Sequence, residues 1–278
     1  MPTLYIVATP IGNLEDITLR ALRILSEVGL IAAEDTRRTR HLLNTYDIKT
    51  PLTSYHEHNK KTKLLHLINQ LEEKDIALVS EAGMPGLSDP GYELIVAAAQ
   101  QDIPVVPIPG PSVVVTALAV SGLPIRQFTY LGFLPRKKGE RRRLLESVAE
   151  EQRTIVSFES PHRLPATLRD LKEVLGDRRV AIGRELTKLH EEIFRGTIAE
   201  AMEHFTMPRG EFTLVIEGKT EKRKPAVTPE IREMLLNLHD QGITAREAVA
   251  RLSRDSGISK NELYQAWIEL ESPARGKG

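Results

Sequence analysis

The chain has 278 residues, with 38 Lys+Arg against 38 Asp+Glu, so no global field draws in nucleic acid and only local patches of charge can do so. Hydrophobic residues make up 41%, enough for substantial cores in a chain of two-domain length. Cysteine is absent, which excludes disulfides, thiolate metal sites and a cysteine nucleophile.

Met1-Pro2-Thr3 leads straight into the apolar run 4–7. No basic segment precedes it, and no apolar run approaches the ~18 residues of a membrane span, so the expected location is cytoplasmic. The run breaks into Thr9-Pro10-Ile11-Gly12-Asn13-Leu14, and a helix is predicted from Asp16 to Val28 with Thr18 or Asp16 as cap. Gly29 ends that helix and 30–33 reads as a buried strand. It delivers two acids, Glu34 and Asp35, and then Arg37, Arg38 and Arg40 on the following turn, before a helix resumes at His41. Arginines this dense suit backbone phosphates, and the same pattern also fits a salt-bridged helix start. A short strand at 52–55, a polar stretch at 56–61 and a helix over 62–73 follow.

The strand 76–79 ends in Ser80-Glu81-Ala82-Gly83-Met84-Pro85-Gly86-Leu87-Ser88-Asp89-Pro90-Gly91, too rich in turn formers to continue it. Helix 92–100, strand 105–106, the turn Pro107-Ile108-Pro109-Gly110-Pro111-Ser112 and a helix through Val115 and Leu118 complete the first unit. Strands that alternate with helices and break into Gly/Pro loops predict a parallel sheet whose carboxyl edge forms a crevice. Those loops offer Thr9, Asn13, Glu81, Ser88, Asp89 and Ser112, polar groups with no cation for a triphosphate, and neither GxGxxG nor GxxxxGK[ST] occurs.

The character changes after Gly122. Strands at 128–133, 153–158, 180–183 and 212–216, with helices at 139–149, 165–174 and 198–205, predict a mixed α+β unit in which 184–192 is a polar loop. Six cations fall within 135–143, and among them Arg136, Lys137 and Lys138 lead toward a polyanion. The histidines lack metal-ligand spacing, and no metal site is expected. Beyond a linker at 219–228, three helical patterns around 229–238, 244–254 and from Ser259 onward outline a helix-turn-helix, read either as a nucleic-acid element or as a packing appendage. The expected division is 1–122, 127–218 and 229–278.

The motifs Thr9–Leu14, Glu34–Arg37, Ser80–Gly91, Pro109–Ser112, Gly132–Pro135, Phe158–Arg163, Arg184–Lys188 and Gly210–Val215, in this order over residues 4–218, together resemble the ribosomal RNA small subunit methyltransferase I family. That family lies within the tetrapyrrole-methylase-like class. The resemblance implies a two-domain fold, a parallel α/β domain and a mixed α+β domain, with the small helical domain as an appendage. It implies methyl transfer from S-adenosylmethionine to the ribose 2'-hydroxyl of a cytidine in the decoding region of 16S ribosomal RNA. Expected partners are that RNA or the small ribosomal subunit and a second copy of the chain, with no DNA and no membrane.

Carried onto this sequence, the cofactor contacts are Pro10, Gly12, Glu81, Ala82, Gly83, Gly86, Pro109, Ser112 and Thr116, joined by Phe158 and Thr213. Glu81, Asp35, His162 and Glu185 are candidate bases. Lys188 is a candidate to hold an oxyanion, or to act as a base if burial lowers its pKa. Arg37, Arg38, Arg136, Lys137, Lys138 and Arg163 are candidate RNA contacts. Competing readings are a methylase of a small tetrapyrrole-like substrate and a non-enzymatic RNA-binding protein.

Overall fold

A computed structural model describes residues 2–220 and 227–271, so the core of the expected linker at 221–226 lies outside the described residues. The chain divides into units Met1–Lys219 and Thr220–Gly278. In the first, β1 (Leu4–Val7), β2 (Leu30–Ala33), β3 (Leu52–Ser54), β4 (Ile76–Val79) and β5 (Val105–Ile108) form a sheet of order β3-β2-β4-β1-β5, parallel throughout. β2 and β4 are buried at every position. Helices cover both faces of the sheet, which is why these strands read as unbroken apolar runs. Pro107 is tolerated in β5 because that strand is an edge.

On one face lie α1 (Leu19–Glu27), capped by Thr18, whose hydroxyl accepts the Ala21 N–H, and α2 (Thr36–Thr45). The other face carries α3 (Lys60–Gln70) and α4 (Tyr92–Gln100). α2 begins earlier than the sequence pattern suggests, because Asp35 accepts the N–H groups of Arg37 and Arg38 and caps it there.

The second sheet, β6-β7-β10-β8-β9, contains β6 (Phe128–Phe133), β7 (Thr154–Glu159), β8 (Arg179–Arg184), β9 (Glu192–Thr197) and β10 (Phe212–Ile216). Only the β6 and β7 pair is parallel. β9 lies in a stretch expected to be loop up to 192 and without regular structure to 197. As an edge strand with no fully buried residue, it lacks a clean hydrophobic alternation. α6 (Lys138–Ser147), α7 (Leu164–Leu175) and α8 (Ile198–His204) pack on one face. Against the other lies α5 (Val113–Ser121), the helix that follows β5. Apolar residues around almost its whole circumference let α5 serve as the joint between the sheets.

The second unit has its own core. α9 (Pro229–Asp240), α10 (Ala245–Ser256) and α11 (Lys260–Glu271) enclose Leu235, Leu252, Leu263 and Trp267. Ser259 accepts the Glu262 N–H and donates to its carboxylate, a variant of the expected capping box. α11, the helix that would read a groove, carries Lys260 together with the acids Glu262 and Glu269.

Candidate active site

The loops after β1, β2, β4 and β5 all leave the same edge of the parallel sheet. Thr9 and Gly83 exchange backbone hydrogen bonds of 2.9 and 3.0 Å, tying the β1 loop to the β4 loop. Gly83 has φ of 82°, a conformation that a side chain would strain. Across the cleft, Phe158, Thr213 and Gly183 stand opposite one another on β7, β10 and β8. They share a sheet face with Val156, Val215 and Ala181, which contact α5, so one face is core at one end and cavity wall at the other.

Two neighbouring cavities result. One, about 430 Å³, lies between the sheets and is lined by Glu34, the loop 81–84, Asp89, Ser112, Phe133, Phe158 and Thr213. Phe133 and Phe158 meet edge to face with centroids 5.3 Å apart. The other, about 620 Å³, is lined by Pro10, Gly12, Leu14, Asp35, Arg37, Arg38, His41, Leu42 and Lys188. Ile11, Glu81, Ala82 and Glu211 border both.

The candidate bases fall into different settings. Asp35 is held below the usual carboxylate range by the Arg37 and Arg38 backbone N–H groups, so it caps a helix and takes up no proton. Glu185 is partly buried, which opposes ionisation. The Glu211 N–H at 2.8 Å and Lys188 at 3.1 Å outweigh that and lower its pKa, and it is absent from both linings. His162 is exposed and lines neither cavity. Glu81 borders both and pairs with Arg38 at 2.5 Å.

Lys188 cannot be the lowered-pKa base that burial alone would create. Burial works in that direction, but Glu211 at 3.0 Å and Glu185 at 3.1 Å overcome it and raise the pKa, leaving an ammonium at the cavity wall. Its stem crosses Gly12 so closely that a Cβ there would lie 2.5 Å from Lys188 Cγ.

Other expected contacts are displaced. Gly86, Pro109 and Thr116 lie off both linings, and Pro10 and Gly12 line the larger cavity rather than the one holding Phe158 and Thr213. Arg163 is consumed structurally, since it pairs with buried Glu159 at 2.5 Å and donates to the Leu134 carbonyl and the Ser160 hydroxyl. Arg136, Lys137 and Lys138 are exposed and off both linings. Arg141 of the same cluster is 4% exposed and donates through Nε and Nη2 to Asp170 at 2.8 and 2.5 Å.

Sequence reasoning named Asp89 among the polar groups of the loops without giving it a role, and left Glu34 and Glu211 out of the candidate site residues. Burial, then the nearby charge of Glu34, pushes the Asp89 carboxyl up to about 7, with a Ser80 hydrogen bond opposing. Among the described residues neither Asp89 nor Glu34 forms an ion pair. The signal for Glu34 was its place directly after β2. Glu211 becomes visible only once β10 is set beside β8.

Residues 3–202 match the family model for Tetrapyrrole (Corrin/Porphyrin) Methylases. Solved structures of a uroporphyrin-III-C-methyltransferase from Thermus thermophilus and of a cobalt precorrin-4 methyltransferase share the fold. Their TM-scores are 0.53 and 0.58 and their identities 22% and 18%; in each case 77% of this chain covers 94% of that one. Fold and cleft thus define a methylase of this tetrapyrrole-methylase class. Within it, proteins named ribosomal RNA small subunit methyltransferase I are far more similar. One from Halalkalibacterium halodurans is 49% identical over 95% of this chain and 94% of its own length, and one from Thermotoga maritima is 55% identical over 79% and 100%. The chain belongs to the ribosomal RNA small subunit methyltransferase I family.

S-adenosylmethionine is the cofactor of this family, and the smaller cavity fits it. Its volume is that of a small-ligand site, its aromatic wall can receive an adenine face, and two of its acids, Glu34 and Asp89, form no ion pair among the described residues. Such a wall favours a sulfonium and disfavours a phosphate.

Proposed function

We propose that the chain methylates the ribose 2'-hydroxyl of a cytidine in the decoding region of 16S ribosomal RNA, using S-adenosylmethionine. The observation that carries this reading is the pair of adjoining cavities, one acidic and aromatic, the other flanked by Arg37, Arg38 and Lys188, with Glu81 at their common wall. When bound, the cofactor supplies an electrophilic methyl, so the chain contributes mainly placement, which can be worth about 7–11 kcal/mol.

Glu81 alone among the four candidate bases reaches the common wall, and there it accepts the hydroxyl proton or holds it in line. Lys188, fixed by Glu185 and Glu211, lies close enough to that wall to stabilise the developing oxyanion. Glu185 is a positioning residue. The exposed Arg136, Lys137 and Lys138 extend the RNA track beyond the cleft.

The enzyme works as a homodimer in the cytoplasm, beside its ribosomal substrate. Val115 on the apolar helix α5 is 61% exposed and offers a second copy something to cover. The same reading divides the chain at 1–122, 127–218 and 229–278. The acids Glu262 and Glu269 on α11 favour a packing role for the helical unit over nucleic-acid reading.

Radiolabelled S-adenosylmethionine offered to the purified protein with small ribosomal subunits, and in parallel with uroporphyrinogen-type tetrapyrroles, tests the proposal. Label is expected in a 2'-O-methylcytidine of the RNA. Label in the tetrapyrrole alone, or none in either, refutes it.

A further inference from the structure

The larger cavity has a deep floor, on which Thr9 is 3%, Ser80 2% and Leu42 5% exposed. An intact RNA helix keeps its bases stacked and paired inside its rod, where they do not reach buried residues such as these. A single nucleotide swung out of its strand can, and about 620 Å³ falls within the ordinary range for one organic ligand.

The chemistry around the floor is graded as a nucleotide is. Leu14 and Leu42 are apolar, suited to the face of a base, while Arg37 and Arg38 stand on α2 at the rim. The Arg37 side chain is 92% exposed, and its contact with Asp35 is a loose 3.5 Å, so its guanidinium keeps most of its donors for a phosphate. The wall shared with the cofactor cavity, at Ile11, Glu81 and Ala82, is where a methyl group must cross.

Resting on the RNA-methylase reading, the geometry points to an acceptor-nucleotide pocket. One unstacked nucleotide enters it, with its base over Leu14 and Leu42, its flanking phosphates on Arg37 and Arg38, and its 2'-hydroxyl at the shared wall. Acceptor choice then depends on whether the RNA can release that nucleotide from its helix, as well as on sequence.

Leu14→Trp fills the floor from a partly buried position that borders only this cavity. The variant is expected to bind S-adenosylmethionine within about twofold of wild type by calorimetry and to lose methyl transfer to small subunits more than about a hundredfold. The variant Arg37→Ala, altered only on a side chain that is 92% exposed, should raise KM for subunits several-fold and flatten its salt dependence, with cofactor affinity unchanged. An RNA fragment carrying 2-aminopurine beside the acceptor should brighten when wild-type protein binds and stay dark with Leu14→Trp.

Near-normal transfer by Leu14→Trp, or no brightening on binding of wild type, overturns the pocket. Wild-type protein that binds the cofactor but passes no methyl to RNA overturns the underlying reading, and the pocket with it.

Discussion

Both sheets and their helices carry carboxylates, and they use them in opposite ways. The parallel sheet ends in Glu34 and Asp89, which have no cation partner among the described residues, and in Glu81, which has one. The mixed sheet and its helices tie their acids down: Glu159 to Arg163, Asp170 to Arg141, Glu185 to Lys188 and Glu192 to Arg184. The lesson is a division of labour. Unpaired acids on one side leave a negative surface for a cationic ligand, and paired acids on the other hold the walls and the Lys188 ammonium in place.

The comparison breaks most visibly where a paired acid is removed. Asp170→Ala strands the buried Arg141 guanidinium and should destabilise the protein by about 3–5 kcal/mol in denaturant titration, whereas a Glu34→Gln change should cost far less. A similar small loss for both would erase the contrast. Next in size is Lys188→Met. It should lower kcat roughly 10²–10³-fold with little change in cofactor affinity, the pattern of a lost transition-state contact. A rise in KM at unchanged kcat would make Lys188 a binding residue instead.

Asp89 sharpens the comparison through pH. Because its carboxyl is raised to about 7, the folded protein keeps a proton that the unfolded chain gives up near pH ~4. The resulting stability is complete below that lower value and is lost as pH climbs through about 7. Melting temperatures of the ligand-free protein should therefore fall between about pH 4 and 7, and Asp89→Asn should flatten the fall. An equal slope in the variant removes Asp89 as the cause. The smallest effect belongs to a site outside the contrast: Thr18→Ala removes the cap of α1 and should cost ~1 kcal/mol, checked by the same titration.

How much of this was legible in the sequence follows from what each feature depends on. β2 and β4 announce themselves because a doubly covered strand must be apolar at every position. The Gly83 and Thr9 loops were readable as site loops because turn formers directly after such strands leave no other use for the edge. β9 was invisible, since an edge strand carrying Arg195 and Gly196 has no burial pattern to display. Pairing across long separations was equally hidden. Arg141 looked like one more surface cation until α7 brought Asp170, 29 residues on, against it, and Arg163 looked free until Glu159 and the Leu134 carbonyl closed around it. The pKa values of Asp89 and Lys188 are both raised, the first by burial and then Glu34 and the second, against burial, by Glu211 and Glu185, and neither Glu34 nor Glu211 belongs to the local motif of the residue it acts on.

The most direct measurement is a crystal structure with sinefungin, in which a carbon replaces the cofactor's sulfonium sulfur and the ammonium it bears takes the place of the methyl. The account predicts density in the cavity walled by Phe158 and Thr213, with that ammonium facing Glu81 and Ala82. Density in the cavity beside Arg37 and Lys188, or an ammonium directed away from the common wall, would contradict it.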